Sequence, residues 1–229
     1  MKIGALQKTS LIEFPGKISC IIFVQGCNFR CPYCHNPELV LPEKFLPLLS
    51  ISEVMDFLER RKKYLDGVVI TGGEPCADSD LLPFVRELKK MGYAVKIDTN
   101  GSFPEVIKKM LSEGILDYIA MDVKGTPEKY ATIAGVKVAM KKIEESISLI
   151  KNSSIGYEFR TTVVKEMLSI DDFEGIGRLI QGAELYYLQH FRPSKAVDPA
   201  TLSYHTYSDE EFEEVRNIML KYVKRCEIR

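Results

Sequence analysis

Residues 66–101 read DGVVITGGEPCADSDLLPFVRELKKMGYAVKIDTNG, and they hold one complete strand–helix–strand unit. Val68–Thr71 is a short β-branched run with no polar alternation, as a buried parallel strand is. Leu81, Phe84, Val85 and Leu88 then recur at i, i+3, i+4 and i+7, the stripe of an amphipathic helix. Gly92 stands where a helix C-cap is expected, and Ala94–Asp98 is the second β-rich run.

The same alternation extends in both directions. Further β-rich runs are Ile18–Gln25, Tyr118–Val123, Tyr157–Val163 and Leu185–Gln189, most of them apolar on both faces. Helical stripes include Ile51, Val54, Met55 and Leu58, and near the end Phe212, Val215, Met219 and Tyr222. Ser50 with Glu53, Ser102 with Glu105, and Ser208 with Glu211 each fit a capping box, and Gly114 fits a second C-cap. Six such units with short connections predict an α/β fold with a mainly parallel sheet, either open and doubly wound or an incomplete barrel. Residues 3–17, with Pro15-Gly16, are expected to form an N-terminal turn or hairpin. Residues 36–49 form a long loop with three prolines, of the length that often carries function.

A chain of 229 residues supports one sizeable core. The expected division is a single domain over 1–229, with an N-terminal extension (1–17), a core (18–192) and a C-terminal loop and helix (193–229). Apolar residues make up 45% and charged residues 28%, with 31 basic against 32 acidic side chains. That balance points to a globular chain with no attraction to nucleic acid or an anionic membrane. No apolar run approaches a membrane span, and the start lacks a signal-peptide pattern. Six cysteines without an export signal are expected to be reduced thiols of a cytoplasmic protein.

Three of those cysteines are clustered: Cys27, Cys31 and Cys34, in the spacing C-x3-C-x2-C. Chance gives this spacing with a probability of about 0.004 at this cysteine frequency. Three thiolates on one loop suit the corners of an iron–sulfur cube. Zinc competes, but structural zinc closes four ligands, and the adjacent His35 is awkwardly placed as a fourth. Cys20, Cys76 and Cys226 are isolated and read as small packing residues. A three-ligand cluster with one open iron, a zinc site and plain buried thiols all stand on spacing alone.

The run from Gln25 to Pro37, QGCNFRCPYCHNP, resembles the cluster loop of radical S-adenosylmethionine (SAM) enzymes, most closely the glycyl-radical-enzyme activases. Thr71-Gly72-Gly73-Glu74-Pro75 looks like their GGEP motif. Asp98-Thr99-Asn100-Gly101 and Asp122-Val123-Lys124 look like two further activase motifs. The likeness covers about residues 3–192, and Ser10–Pro37 is similar to activators of anaerobic ribonucleoside-triphosphate reductase. It implies a partial (β/α)6 barrel, which the six units can supply. Each motif falls at a strand's C-terminal end, the face where active sites of parallel α/β folds form.

The resemblance implies that Cys27, Cys31 and Cys34 hold a [4Fe–4S] cluster whose open iron binds the SAM amino and carboxylate groups. It assigns Gly72, Gly73 and Glu74 to the methionyl amino end and Tyr33 to the adenine. Lys124 would meet the SAM carboxylate. Asp98, with Thr99, and Asp122 would bind ribose, the amino-acid end or a monovalent cation. Arg160 and Thr162 match a fifth-strand SAM contact, and His190 a sixth-strand one. The implied reaction passes one electron, from flavodoxin or ferredoxin, to the SAM sulfonium. The resulting 5′-deoxyadenosyl radical takes a hydrogen atom from a partner enzyme's glycine. Two rival readings are an enzyme acting on a small molecule, like 7-carboxy-7-deazaguanine synthase, and a non-enzymatic iron–sulfur or zinc protein.

Overall fold

The computed structural model describes residues 1–229 and is built on one sheet in the order β1-β2-β3-β4-β5-β6-β7-β8. The strands are β1 (Ile3–Ser10), β2 (Ser19–Val24), β3 (Gly67–Gly72), β4 (Ala94–Thr99), β5 (Tyr118–Asp122), β6 (Gly156–Val163), β7 (Tyr186–His190) and β8 (Cys226–Ile228). β1 runs antiparallel to β2, and every other neighbouring pair is parallel. β1 and β8 do not pair, so the sheet is not closed. Side chains from β1 and β7 nevertheless line one cavity, so the sheet curls into an incomplete barrel.

The helices are α1 (Pro37–Val40), α2 (Ile51–Arg61), α3 (Leu81–Lys90), α4 (Pro104–Ser112), α5 (Tyr130–Ala134), α6 (Met140–Lys151), α7 (Asp172–Leu179) and α8 (Asp209–Met219). Strands β2 to β7, each followed by at least one helix, are the six expected units. Residues 3–17 supply β1, one arm of a hairpin with β2. The capping boxes at Ser50 and Ser208 are formed. The one expected at Ser102 is not. Pro104 opens α4 with Phe103 as its cap, and Ser102 Oγ donates instead to Asn100 Oδ1 at 2.5 Å. Proline fixes its own φ and needs no N–H partner, so it starts the helix one residue later than a cap at Ser102 would. The pattern also passed over β8 and α5, which are too short to show a period.

The strands have two unlike faces. Cys20, Ile22, Val24, Val68, Ile70, Val95, Ile97, Ile119, Met121, Phe159 and Leu188 point outward into the main core beneath the helices. The alternate positions point into the barrel, as the period of two requires. There Phe14, Ile21 and Val69 make a small apolar floor. Above it the inner face is polar: Lys96 and Asp98 on β4, Asp122 on β5, Glu158 and Arg160 on β6. The expectation of strands apolar on both faces therefore fails for β4, β5 and β6. An incomplete barrel leaves an internal cavity, and paired charges can line it. No helix of the chain is long and apolar enough to cross a membrane.

Phe159 is fully buried in the outer core. Phe159→Ala should lower unfolding free energy by about 3–5 kcal/mol, read from the shift of a urea-denaturation midpoint at unchanged slope.

Candidate active site

The cysteine loop leaves the top of β2 through Gly26, whose φ of +106° needs glycine. Gln25 N donates to Lys2 O (2.8 Å) and Gly26 N to Leu39 O (2.7 Å). From the end of β3, Gly73 N donates to Val24 O (2.9 Å) and Glu74 N to Gly26 O (2.8 Å). A Cβ on Gly73 would run into Gly26 O, and one on Gly72 would lie 2.6 Å from Val24 N. The glycine pair therefore lets two backbones lie against each other, a constraint internal to the protein. Further along, Arg30 N donates to Ala134 O (2.8 Å), while Val197 N and Asp198 N donate to Cys34 O (3.2 Å) and Pro32 O (2.9 Å). The Arg30 guanidinium folds back onto Cys27 O (2.6 Å) and Phe29 O (2.7 Å).

Glu74 is 1% exposed. Its Oε1 accepts from Thr99 Oγ1 (2.7 Å) and Cys76 N (3.0 Å), and its Oε2 from Asn100 N (2.6 Å). Burial raises its pKa, and these donors only partly offset that. Asn100 Nδ2 donates to Asn28 Oδ1 (3.0 Å), and Asn28 Nδ2 to Ser102 Oγ (2.9 Å). One buried carboxylate and one amide network thus tie the ends of β2, β3 and β4 together.

Below them runs a ladder of alternating charge. Lys96 Nζ lies 3.0 Å from Asp98 Oδ1 and donates to Glu13 O at 2.7 Å. Arg160 reaches Asp98 Oδ2 with NH2 (3.1 Å) and Asp122 Oδ1 with Nε (2.5 Å). Lys124 Nζ meets Asp122 Oδ2 at 2.9 Å. Burial alone would raise the pKa of Asp98, but Arg160 and Lys96 outweigh it and hold the group low. Asp122 is held low by Arg160 and Lys124 against the same burial. Burial opposes the charge on Lys124, yet Asp122, with Tyr33 and Cys31 nearby, keeps it protonated well above its ordinary value. The upper rung of the ladder, Lys124, sets a cation paired with Asp122 beside the cysteine loop.

Cys27, Cys31 and Cys34 are free thiols lining one cavity of about 470 Å³. Burial pushes the Cys27 thiol to about 12, with Glu74 adding to it, and the Cys31 thiol to about 11. Cys34 is also raised by burial. Tyr33 packs edge-on against Phe191 (6.2 Å between ring centroids), and its buried hydroxyl has no hydrogen-bond partner. Gly72, Gly73 and Glu74 line the same cavity, as do Asp98, Thr99, Asp122 and Lys124. Arg160, Thr162 and His190 complete the set, so every candidate residue faces one space. His190 also lies against Phe212, 4.1 Å between centroids.

Cys20, Cys76 and Cys226 are buried in the outer core. Nowhere do three or more Cys, His, Asp or Glu side chains converge as they would around a single metal ion. Sequence reading passed over Glu13, Asn28, Lys96 and Glu158. The pairs Lys96/Asp98 and Glu158/Arg160, each two residues apart on a strand, were a legible signal of one charged inner face.

An eight-stranded, incompletely closed barrel with a three-cysteine loop at the C-terminal ends of its parallel strands defines a radical SAM fold. The chain belongs to the radical SAM superfamily, whose family model matches residues 21–180. It is a radical SAM enzyme, and the family uses a [4Fe–4S] cluster and SAM. Within the superfamily it is 34% identical, over 99% of its length and 95% of the relative's, to a Methanocaldococcus jannaschii protein named as a glycyl-radical enzyme activating enzyme. It is 26% identical to the pyruvate formate-lyase-activating enzyme of Clostridium pasteurianum, over 93% of this chain and 86% of that one. The 7-carboxy-7-deazaguanine synthase of Aquifex aeolicus matches at 39% identity, over 50% of each chain. Among solved structures, Streptococcus suis SuiB superposes with a TM-score of 0.69 at 11% identity. That match covers 91% of this chain and 48% of SuiB, so the chain spans about half of SuiB's length. Methylornithine synthase gives 0.65 at 15% identity, over 91% of this chain and 63% of that one.

Two outcomes follow for the metal-free protein. Gly73→Ala should cost about 1–3 kcal/mol of stability by overpacking and speed alkylation of the loop thiols. With raised thiol pKa values, Cys27 and Cys31 are protonated at neutral pH. Their iodoacetamide labelling, followed by mass spectrometry, should be slow at pH 8 and keep rising towards pH 11.

Proposed function

We propose that the chain reductively cleaves SAM and generates a glycyl radical on a partner enzyme, anaerobic ribonucleoside-triphosphate reductase, with flavodoxin or ferredoxin as electron donor. The observation that carries this is the single cavity onto which the three thiols, the Gly72-Gly73 turn and the charged ladder all open. The donor set fits an iron–sulfur cluster. Three thiols share one loop, the other cysteines are committed to the outer core, and no arrangement suits a lone ion. Tyr33 lines the same cavity, and its buried hydroxyl is left without a hydrogen-bond partner.

In this reading Cys27, Cys31 and Cys34 hold the cluster. When bound, it supplies the single electron that cleaves SAM. The remaining work is done by the chain. Lys124, which lines the cavity beside the cysteine loop, attracts the SAM carboxylate. Backbone groups of Gly72 and Gly73 face the amino end, and Glu74 fixes their position from below. Tyr33 offers its ring to the adenine. Asp98, Thr99, Asp122, Arg160, Thr162 and His190 form the polar wall for ribose and methionyl groups. A preorganised wall of fixed charges needs little rearrangement during the reaction.

A second reading, an enzyme acting on a small molecule, draws on the half-length match to 7-carboxy-7-deazaguanine synthase. Electron paramagnetic resonance separates the two. Reduced, cluster-loaded protein with SAM and the reductase should give 5′-deoxyadenosine and a glycine-centred doublet on the reductase. Cys27→Ala, Cys31→Ala and Cys34→Ala should each abolish both. 5′-Deoxyadenosine without a doublet on any glycyl-radical enzyme would favour the small-molecule reading, and none at all would end both.

A further inference from the structure

We propose that Arg229 and Glu158 are positioning residues that hold the Arg160 guanidinium in register with Asp98 and Asp122. The inference rests on the reading of the cavity as a SAM site. Glu158 sits on the inner face of β6, two residues below Arg160, and its side chain is 1% exposed. Its Oε2 accepts from Tyr118 Oη at 2.9 Å. Its Oε1 accepts from Arg229 NH1 at 3.2 Å, and Arg160 NH1 lies 3.9 Å from that same oxygen. These two arginines are the only cations within 4.0 Å of Glu158.

Arg229 is itself firmly placed. Its backbone N donates to Leu188 O (2.9 Å), and its carbonyl accepts from His190 N (2.8 Å). Its guanidinium lies over the Tyr187 ring, 3.4 Å from the centroid. Tyr187 in turn pairs with Arg160 across β6 and β7. Arg160 therefore has three acids around it, and Arg229 satisfies the lowest of them. A buried carboxylate left without its counter-charge takes the next cation in reach. Loss of Arg229 draws Arg160 down towards Glu158 and away from Asp98 and Asp122 at the cavity wall. Removing the charge on Glu158 removes that pull.

The test is a rescue cycle on full-length, cluster-loaded protein, with SAM dissociation constants from equilibrium dialysis. Arg229→Ala should weaken SAM binding by at least about 10-fold, Arg229→Lys by less, and Glu158→Gln/Arg229→Ala should return within about 3-fold of the wild type. In parallel, the Arg160 Nε–H resonance of 15N-labelled metal-free protein should shift in Arg229→Ala and recover in the double variant. Should Arg229→Ala not fold, Arg229→Lys with and without Glu158→Gln gives the same comparison. SAM affinity and resonance both unchanged in Arg229→Ala, or a double variant no better than the single, would overturn the proposal. If the wild type itself binds no SAM, the cavity reading fails, while the resonance still decides whether Glu158 and Arg229 place Arg160.

Discussion

The ends of three strands converge on the carboxylate of Glu74, and the rest of the candidate site is hung from that point. Thr99, Asn100 and Cys76 all donate to it, and its own N–H reaches back to Gly26. A buried acid with fewer donors would be costly, so the donors must be present together. That requirement sets the relative height of the loops after β2, β3 and β4. It also shows why two glycines precede Glu74: a Cβ on Gly73 would hold the β3 turn off the cysteine loop, and one on Gly72 would meet the backbone of β2 at Val24.

The barrel interior solves a different problem. Its outer wall is an ordinary apolar core, but Lys96, Asp98, Arg160, Asp122, Lys124 and Glu158 face inward. Buried ion pairs of this kind contribute little net stability, because desolvation offsets much of their attraction. What they provide is direction. Each acid is pinned by more than one partner, so the polar wall keeps its shape without a ligand. The cost in stability is borne by the continuous apolar face on the other side of the same strands.

The cysteine loop has almost no regular structure, yet backbone hydrogen bonds hold it from Lys2 just before β1, from α1, the β3 turn, the end of α5 and residues 197–198. Loop residues held by this many main-chain partners are positioned before any ligand arrives, which lowers the ordering cost of binding. Much of that bracing comes from segments far away in sequence.

The sequence by itself determined the six βα units, because hydrophobic period and caps are local properties. It also determined the cysteine triad and the polar strand ends, because spacing and residue type are written along the chain. Since every motif sat at a strand's C-terminal end, parallel topology alone brought them to one face. Tertiary structure decided which strand faces carry charge, since an inner face is recognised only when the sheet curls. It decided that Glu74 is consumed by Thr99 and Asn100, residues 25 and 26 positions away. It also decided that Arg229, 71 residues from Glu158, completes the charge balance of the barrel. Pairings of that separation depend on the register of whole strands, which no local pattern encodes.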